Sequence, residues 1–222
     1  RDGIAPALRG VSLVVYAGEK CAITGRTGAG KSSLLLSVLQ LVPYTGSMCI
    51  HGVSLGDLHP EDVRRWLVGV VPQQPVIFKG TMRWNLDPTG ALHDQALWAA
   101  LQETGLMSVC RGHPQGLDAP LDESSVAEGD AKSGPLGLSQ GQRQLLCATR
   151  VLLRRPPLVL LDEVSSTLPA QAASNIVSNL MHKFSENKST VLLVTHQEDL
   201  VSLCSRVIKI DAGALVYDSH RI

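Results

Sequence analysis

The chain has no excess of charge of either sign: 20 Lys and Arg residues balance 20 Asp and Glu residues, so the formal net charge of its 222 residues is zero. Its basic residues are dispersed, which argues against a nucleic-acid surface, and no nucleic-acid partner is expected. Long hydrophobic runs are lacking as well. The longest apolar stretches, such as Val191 to Val194 and Leu158 to Leu161, fall far short of the roughly 20 apolar residues that a membrane-spanning helix needs. Neither a span nor a signal peptide is read in the sequence. Long coiled-coil heptads are missing too. Cysteine is sparse: Cys21, Cys49, Cys110, Cys147 and Cys204 stand singly with no Cys-x-x-Cys spacing, and read as small core residues in a reducing compartment. With 44% apolar residues, the chain can bury one sizeable core, or a core with a helical subdomain.

What is present has a definite order. Gly25-Arg26-Thr27-Gly28-Ala29-Gly30-Lys31-Ser32 has the spacing G-x-x-x-x-G-K-S and lies between an apolar run, Cys21 to Thr24, and an apolar helical stretch, Ser33 to Leu41. That strand, loop, helix context distinguishes a phosphate loop from a glycine-rich turn that merely contains Lys-Ser. The glycines let successive amide N–H groups point inward at a phosphate, and the following helix adds its positive end. Lys31 can then reach the β- and γ-phosphates, and the Ser32 hydroxyl can ligate Mg²⁺.

Short β-like runs occur at Val11 to Val15, Lys20 to Thr24, Ser47 to His51, Val68 to Val71, Leu158 to Leu161 and Thr190 to Thr195. Helical patterns between the later ones predict an α/β fold with a mostly parallel sheet. Val207 to Ile210 and Ala214 to Tyr217 flank Asp211-Ala212-Gly213 and predict an antiparallel hairpin. Asp94 to Val109 reads as a helix within an inserted region. The stretch Ser124 to Gly137, rich in small and charged residues, reads as a mobile surface loop.

Two further elements carry chemistry. The buried run Leu158 to Leu161 ends in Asp162-Glu163, where Asp162 can hold the Mg²⁺ hydration shell and Glu163 can polarise an attacking water. The competing reading is a solvated acidic turn after a strand. Thr195-His196 follows the apolar run Val191 to Val194, so His196 can hydrogen-bond a γ-phosphate at a strand end or be simply a polar terminus. Leu138-Ser139-Gln140-Gly141-Gln142-Arg143-Gln144 opens a helical stretch, Gln142 to Leu153. Its free N–H groups suit a phosphate; the competing reading of Ser139 is a plain N-cap.

Taken in order, the phosphate loop, Gln73, Leu138-Ser139-x-Gly141-Gln142, the strand with Asp162-Glu163, and His196 resemble the ATP-binding cassette family over essentially the whole chain. Val71-Pro72-Gln73-Gln74-Pro75-Val76-Ile77-Phe78, Trp84-Asn85-Leu86-Asp87-Pro88 and Gly141-Gln142-Arg143-Gln144-Leu145-Leu146-Cys147 are most similar to the second nucleotide-binding domain of multidrug-resistance-associated (C-subfamily) transporters. The resemblance implies one domain over residues 1–222, with a helical signature subdomain inserted at about residues 75–155, on a phosphate-loop NTPase core. It implies ATP and Mg²⁺ as ligands, held by Gly25, Arg26, Thr27, Gly28, Ala29, Gly30, Lys31, Ser32 and Ser33, with Ser32, Gln73 and Asp162 at the metal. Glu163, His196 and Gln73 would form the hydrolytic set. Ser139, Gly141 and Gln142 would bind the γ-phosphate of an ATP held by a second nucleotide-binding domain, head to tail, in the same polypeptide. The segment from Gln73 to Thr81 would receive coupling helices of transmembrane domains, which implies location at the cytoplasmic face of a membrane.

Three departures stand against the family pattern. Gln140 replaces the usual glycine of the signature, at a position where relatives of this second domain tolerate other residues; Pro169 stands where the D-loop after Ser165-Ser166-Thr167-Leu168 would end in Asp; and no aromatic residue precedes Tyr16 to stack on adenine. Proline lacks an N–H and fixes φ, which alters a loop that communicates across the dimer. The favoured function is the ATP-hydrolysing motor of an exporter. A regulatory domain that closes on ATP with little turnover is the alternative, and a soluble cassette ATPase acting on DNA or ribosomes is disfavoured by the neutral charge and the transporter-like string from Pro75 to Leu86.

Overall fold

A computed structural model describes residues 5–122, 134–164 and 170–219. Two compact units divide the chain: the first lies within residues 1–69, 156–163 and 184–222, the second within 70–155 and 164–183.

The first unit is built on β1 (Lys20–Thr24), whose three central residues are fully buried, followed by α1 (Lys31–Val38). A small hairpin, β2 (Cys49–Ile50) and β3 (Val53–Ser54), comes next, then a helical turn α2 (Pro60–Asp62) that runs on as a π-helical turn over Val63–Leu67. The chain leaves this unit within β4 (Val68–Val71).

In the second unit lie β5 (Gly80–Thr81), α3 (Met82–Leu86), α4 (Asp94–Glu103), α5 (Met107–Gly112), β6 (Pro120–Leu121) and α6 (Gln140–Arg154). Returning to the first unit, β7 (Leu158–Asp162) is followed by α7 (Ala170–Glu186), of which only the last turn belongs to that unit. β8 (Thr190–Val194), α8 (Glu198–Val201), β9 (Arg206–Asp211) and β10 (Ala214–Asp218) complete it.

The main sheet has the order β10-β9-β1-β8-β7-β4. β1 pairs parallel with both β8 and β9, and β7 pairs parallel with β8. Strands covered on both faces read as continuous apolar runs, and Thr190–Val194 is buried at every position. The α/β class with a mostly parallel sheet is therefore as the sequence predicts. β9 and β10 form the predicted antiparallel hairpin, turned by Ala212 (φ 46°) and Gly213 (φ 81°), the left-handed pair that a two-residue type I′ turn requires. The second unit packs its own apolar cluster, centred on Met82, Leu97, Leu101, Leu106, Leu121 and Leu146.

Five sequence expectations need correction. Val11 to Val15 forms no strand: Val11, Leu13 and Val15 are half-buried and alternate with exposed Ser12 and Val14, but the run faces an open cavity of about 1140 Å³, and period-2 burial without a hydrogen-bonded neighbour makes no ladder. Ser47 to His51 contracts to Cys49–Ile50, because His51 (φ 50°) and Gly52 (φ 78°) turn the chain back into β3. Asp94 to Val109 is two helices: Gly105 (φ 78°) ends α4, with Leu106 N–H donating to Leu101 O and Gly105 N–H to Gln102 O, the Schellman pattern. Cys49 is exposed, whereas Cys21, Cys110 and Cys147 are buried as expected; all five cysteines are free. Most of the loop read at Ser124 to Gly137, and the segment from Ser165 to Pro169, lie outside the described residues. At the end of that loop Pro135 is exposed, but Leu136 is buried and its N–H donates to Pro120 O.

Candidate nucleotide-binding site

The turn after β1 depends on glycine for two physical reasons. At Gly25 (φ 148°) a Cβ would stand 2.2 Å from Ile210 O, and at Gly30 (φ 108°) one would stand 2.7 Å from Leu8 Cδ2. Gly28 (φ 80°) has open space around it, so its requirement is conformational alone. The β9–β10 turn braces the loop, since Gly213 N–H donates to Ala29 O at 3.0 Å.

Gly30 is the N-cap of α1 and supplies no side-chain acceptor; the first turn also holds no acidic residue. The N–H groups of that turn therefore face outward without a protein anion, as an anion-binding helix end requires. Lys31, itself buried, folds its Nζ back onto Gly25 O (2.7 Å) and Arg26 O (3.0 Å). The ammonium is thus held inside the loop that it would share with a phosphate. Arg26, Thr27, Gly28 and Ser32 are exposed along the same turn.

At the end of β7, Asp162 and Glu163 take up different environments. Burial pushes the Asp162 carboxyl above its ordinary range, the adjacent Glu163 carboxylate pushes it further, and the Lys31 ammonium pulls it back. A carboxylate short of positive charge in this way suits a divalent cation. Among the described residues no three His, Cys, Asp or Glu side chains form a metal cage. That donor set matches Mg²⁺, which is commonly held by one or two carboxylates together with substrate phosphates.

Glu163 is left-handed (φ 43°), with its N–H bonded to Val194 O at 3.0 Å. A non-glycine residue in that region costs about 1–3 kcal/mol and is typical of functional turns. The bond ties the end of β7 to the end of β8 and brings Glu163 Oε1 within 3.9 Å of His196 Nδ1. His196 is 67% exposed and Glu163 24%, so the pair forms one wall of an accessible site. Thr195, buried beneath, donates its N–H to Ile23 O and accepts from Gln197 N–H. The first unit thus brings the phosphate loop, Asp162, Glu163 and His196 onto one sheet.

The remaining expected residues stand in the second unit. Gln73 is exposed, and its backbone carbonyl accepts from Gln144 Nε2 at 2.7 Å. Ser139 and Gln142 form a reciprocal capping box: Ser139 Oγ accepts from Gln142 N–H, and Gln142 Oε1 accepts from Ser139 N–H. The N-cap reading of Ser139 is realised, and α6 starts with its first turn rigidly closed.

Other features here escaped the sequence reading. Arg150 donates to Asn85 O (2.6 Å), Asn85 Oδ1 (2.5 Å) and Val76 O (2.6 Å), and its guanidinium lies 5.1 Å from the Phe78 ring centroid. Asn85, nearly fully buried, closes the Phe78 to Asn85 turn with bonds to the N–H and C=O of Phe78. Phe78 and Trp84 pack edge to face and remain about half exposed. The spacing of Gln144, Cys147 and Arg150 on one helix was the available signal; apart from Asn85 Oδ1 the acceptors are backbone carbonyls and leave none.

Comparison with known proteins places these sites in context. The profile of the ABC transporter family matches residues 8–166. The chain is 37% identical to "ABC transporter C family member 3" of Dictyostelium discoideum, covering 97% of this chain and 14% of the relative. It is 35% identical to "ATP-binding cassette sub-family C member 3" of Homo sapiens, over 99% of this chain and 14% of that protein. "Probable multidrug resistance-associated protein lethal(2)03659" of Drosophila melanogaster is also 35% identical, over 94% of this chain and 14% of its own length. The chain therefore spans about one seventh of the relatives it matches, and it belongs to the ABC transporter family, a family of ATPases, with C-subfamily transporters among its relatives.

Proposed function

We propose that this chain is a catalytic ATP-binding domain of a C-subfamily exporter. The observation that carries the reading is the pairing of Glu163 with His196 across adjacent strand ends, on the unit that also holds the phosphate loop. Residues Gly25 to Ser33 bind the triphosphate, with Lys31 exchanging its loop carbonyls for phosphate oxygens. Ser32, Asp162 and Gln73 are the residues that hold Mg²⁺, and the ion supplies charge neutralisation on the phosphates when bound. Glu163 accepts the proton of the attacking water, and His196 orients the γ-phosphate by hydrogen bonding.

In the same reading the chain forms one domain, with residues of about 75–155 as a helical signature subdomain. Ser139, Gly141 and Gln142 serve an ATP held by a second nucleotide-binding domain, head to tail and in the same polypeptide. The segment from Gln73 to Thr81, which includes the exposed Phe78, receives the transmembrane domains at the cytoplasmic face. In this reading the chain is the second, C-terminal nucleotide-binding domain, and the reading is carried by the strings Val71 to Phe78, Trp84 to Pro88 and Gly141 to Cys147.

Steady-state ATP hydrolysis by the full-length parent tests the assignment. Glu163→Gln is expected to lower turnover at least about 100-fold while nucleotide binding persists, the usual scale for losing a general base. Unchanged turnover would instead make this a nucleotide-sensing clamp, with the chemistry done at the partner site.

A further inference from the structure

Helix α6 turns one side toward the segment that begins at Gln73. Gln144 Nε2 donates to Gln73 O at 2.7 Å, Cys147 Sγ lies 3.8 Å from Val76 O, and Arg150 donates to Val76 O and Asn85 O, each at 2.6 Å. Three donors at successive helical turns therefore clamp one stretch of backbone.

Gln144 differs from the other two. It is fully buried, and its Oε1 meets no donor among the described residues. An unpaired buried carbonyl costs about 1–3 kcal/mol, so packing alone would be served better by an apolar side chain of the same size. The orientation of the amide follows from its partner: reversal would set Oε1 against the Gln73 carbonyl oxygen. What Gln144 does make is a single directed bond to the main chain of Gln73, whose side chain is exposed.

We infer that Gln144 is a positioning residue for Gln73, pinning its main chain to α6 so that the Gln73 side chain is presented from a fixed point. The inference rests on the proposed role of Gln73 at the metal and the attacking water. A loosened Gln73 would still occupy its loop, but its amide would spend less time in the productive position, and small misplacements of this kind are costly.

The test is a double-mutant cycle in the purified full-length parent, reading ATP turnover against Mg²⁺ concentration for the wild type, Gln73→Ala, Gln144→Met and the double variant. Gln144→Met is expected to lower kcat about tenfold, to leave the KM for ATP within about twofold, and to raise the Mg²⁺ concentration for half activation. The double variant should be no slower than Gln73→Ala alone, because the second change acts only through the first residue. Gln144→Glu, which keeps the shape but faces a carboxylate toward the carbonyl, must show the same epistasis and carries the test if the Met form fails to fold. Multiplying losses, an unaffected kcat in Gln144→Met, or an inactive effect of Gln73→Ala would overturn the inference while leaving the reading of Glu163 intact. Retained turnover in Glu163→Gln would overturn that reading, and this inference with it.

Discussion

Asp162, at the end of β7, carries an electrostatic burden that its place in the fold creates. Burial and the Glu163 charge hold the Asp162 proton more tightly in the folded chain than in the unfolded one. Stability from such a group is present at low pH and is lost as pH rises through the raised value, because ionisation then costs more in the folded state. Asp162→Asn removes that cost. Near neutral pH and without Mg²⁺, the Asn form should melt about 2–4 °C higher, the shift that about 1 kcal/mol makes in a chain of this size, and the gain should shrink in acid. Mg²⁺-dependent turnover should fall in the same variant. Equal melting curves at both pH values would refute the electrostatic account. None of this was readable from the letters Asp-Glu: the sequence showed two carboxylates after a strand, but not the left-handed φ of Glu163 or its distance from His196, which arise from the pairing of β7 with β8.

At the scale of elements, strands of the parallel sheet were legible because both of their faces are covered, and apolar runs such as Thr190–Val194 carry that burial in their composition. Helix ends were legible only where glycine marked them. Gly105 could have divided α4 from α5, whereas α1 stops at Val38, short of the expected Leu41, through Gln40 (φ 52°) in the same Schellman arrangement, and glutamine carries no such signal. The turn from Val76 to Asn85 was invisible for another reason: its shape is set by Arg150, which is distant in the chain and, besides Asn85 Oδ1, reaches backbone oxygens that every residue has. Arg150→Ala leaves buried Asn85 without two of its hydrogen bonds and should destabilise the chain by roughly 1–3 kcal/mol, the range for leaving a buried polar group unsatisfied. Arg150→Lys should recover less than half, since an ammonium cannot fork across those acceptors. Urea unfolding of the three forms measures both; full recovery by Lys would mean that charge alone matters.

For the whole molecule, the balance of charge leaves no long-range field to gather anionic nucleotide, so affinity must come from the local cradle of the phosphate loop. The thiols report on the integrity of the fold as a whole. Burial pushes Cys204 up to about 11; in Cys110 burial acts together with Asp118 to reach about 11, and in Cys21 burial and then Glu19 raise the thiol to about 12. Cys49 is exposed. A thiol-directed alkylating reagent near neutral pH should therefore modify Cys49 of the isolated chain rapidly and the other four slowly until urea unfolds it, as peptide mapping by mass spectrometry would show. Rapid labelling of Cys21 in the native state would contradict a closed core.

One relay of backbone bonds has a bearing on where this domain can safely be cut. Arg9 N–H donates to Gly213 O, Gly213 N–H donates to Ala29 O, and Leu8 fills the space beside Gly30. The stretch from Ala7 to Arg9 thus acts as a strut for the triphosphate cradle though it belongs to no helix or strand. Trimming a clone to begin at the first regular element would spare the sheet and yet slacken the grip on nucleotide, so a shortened domain that folds but binds weakly would say nothing against the native site.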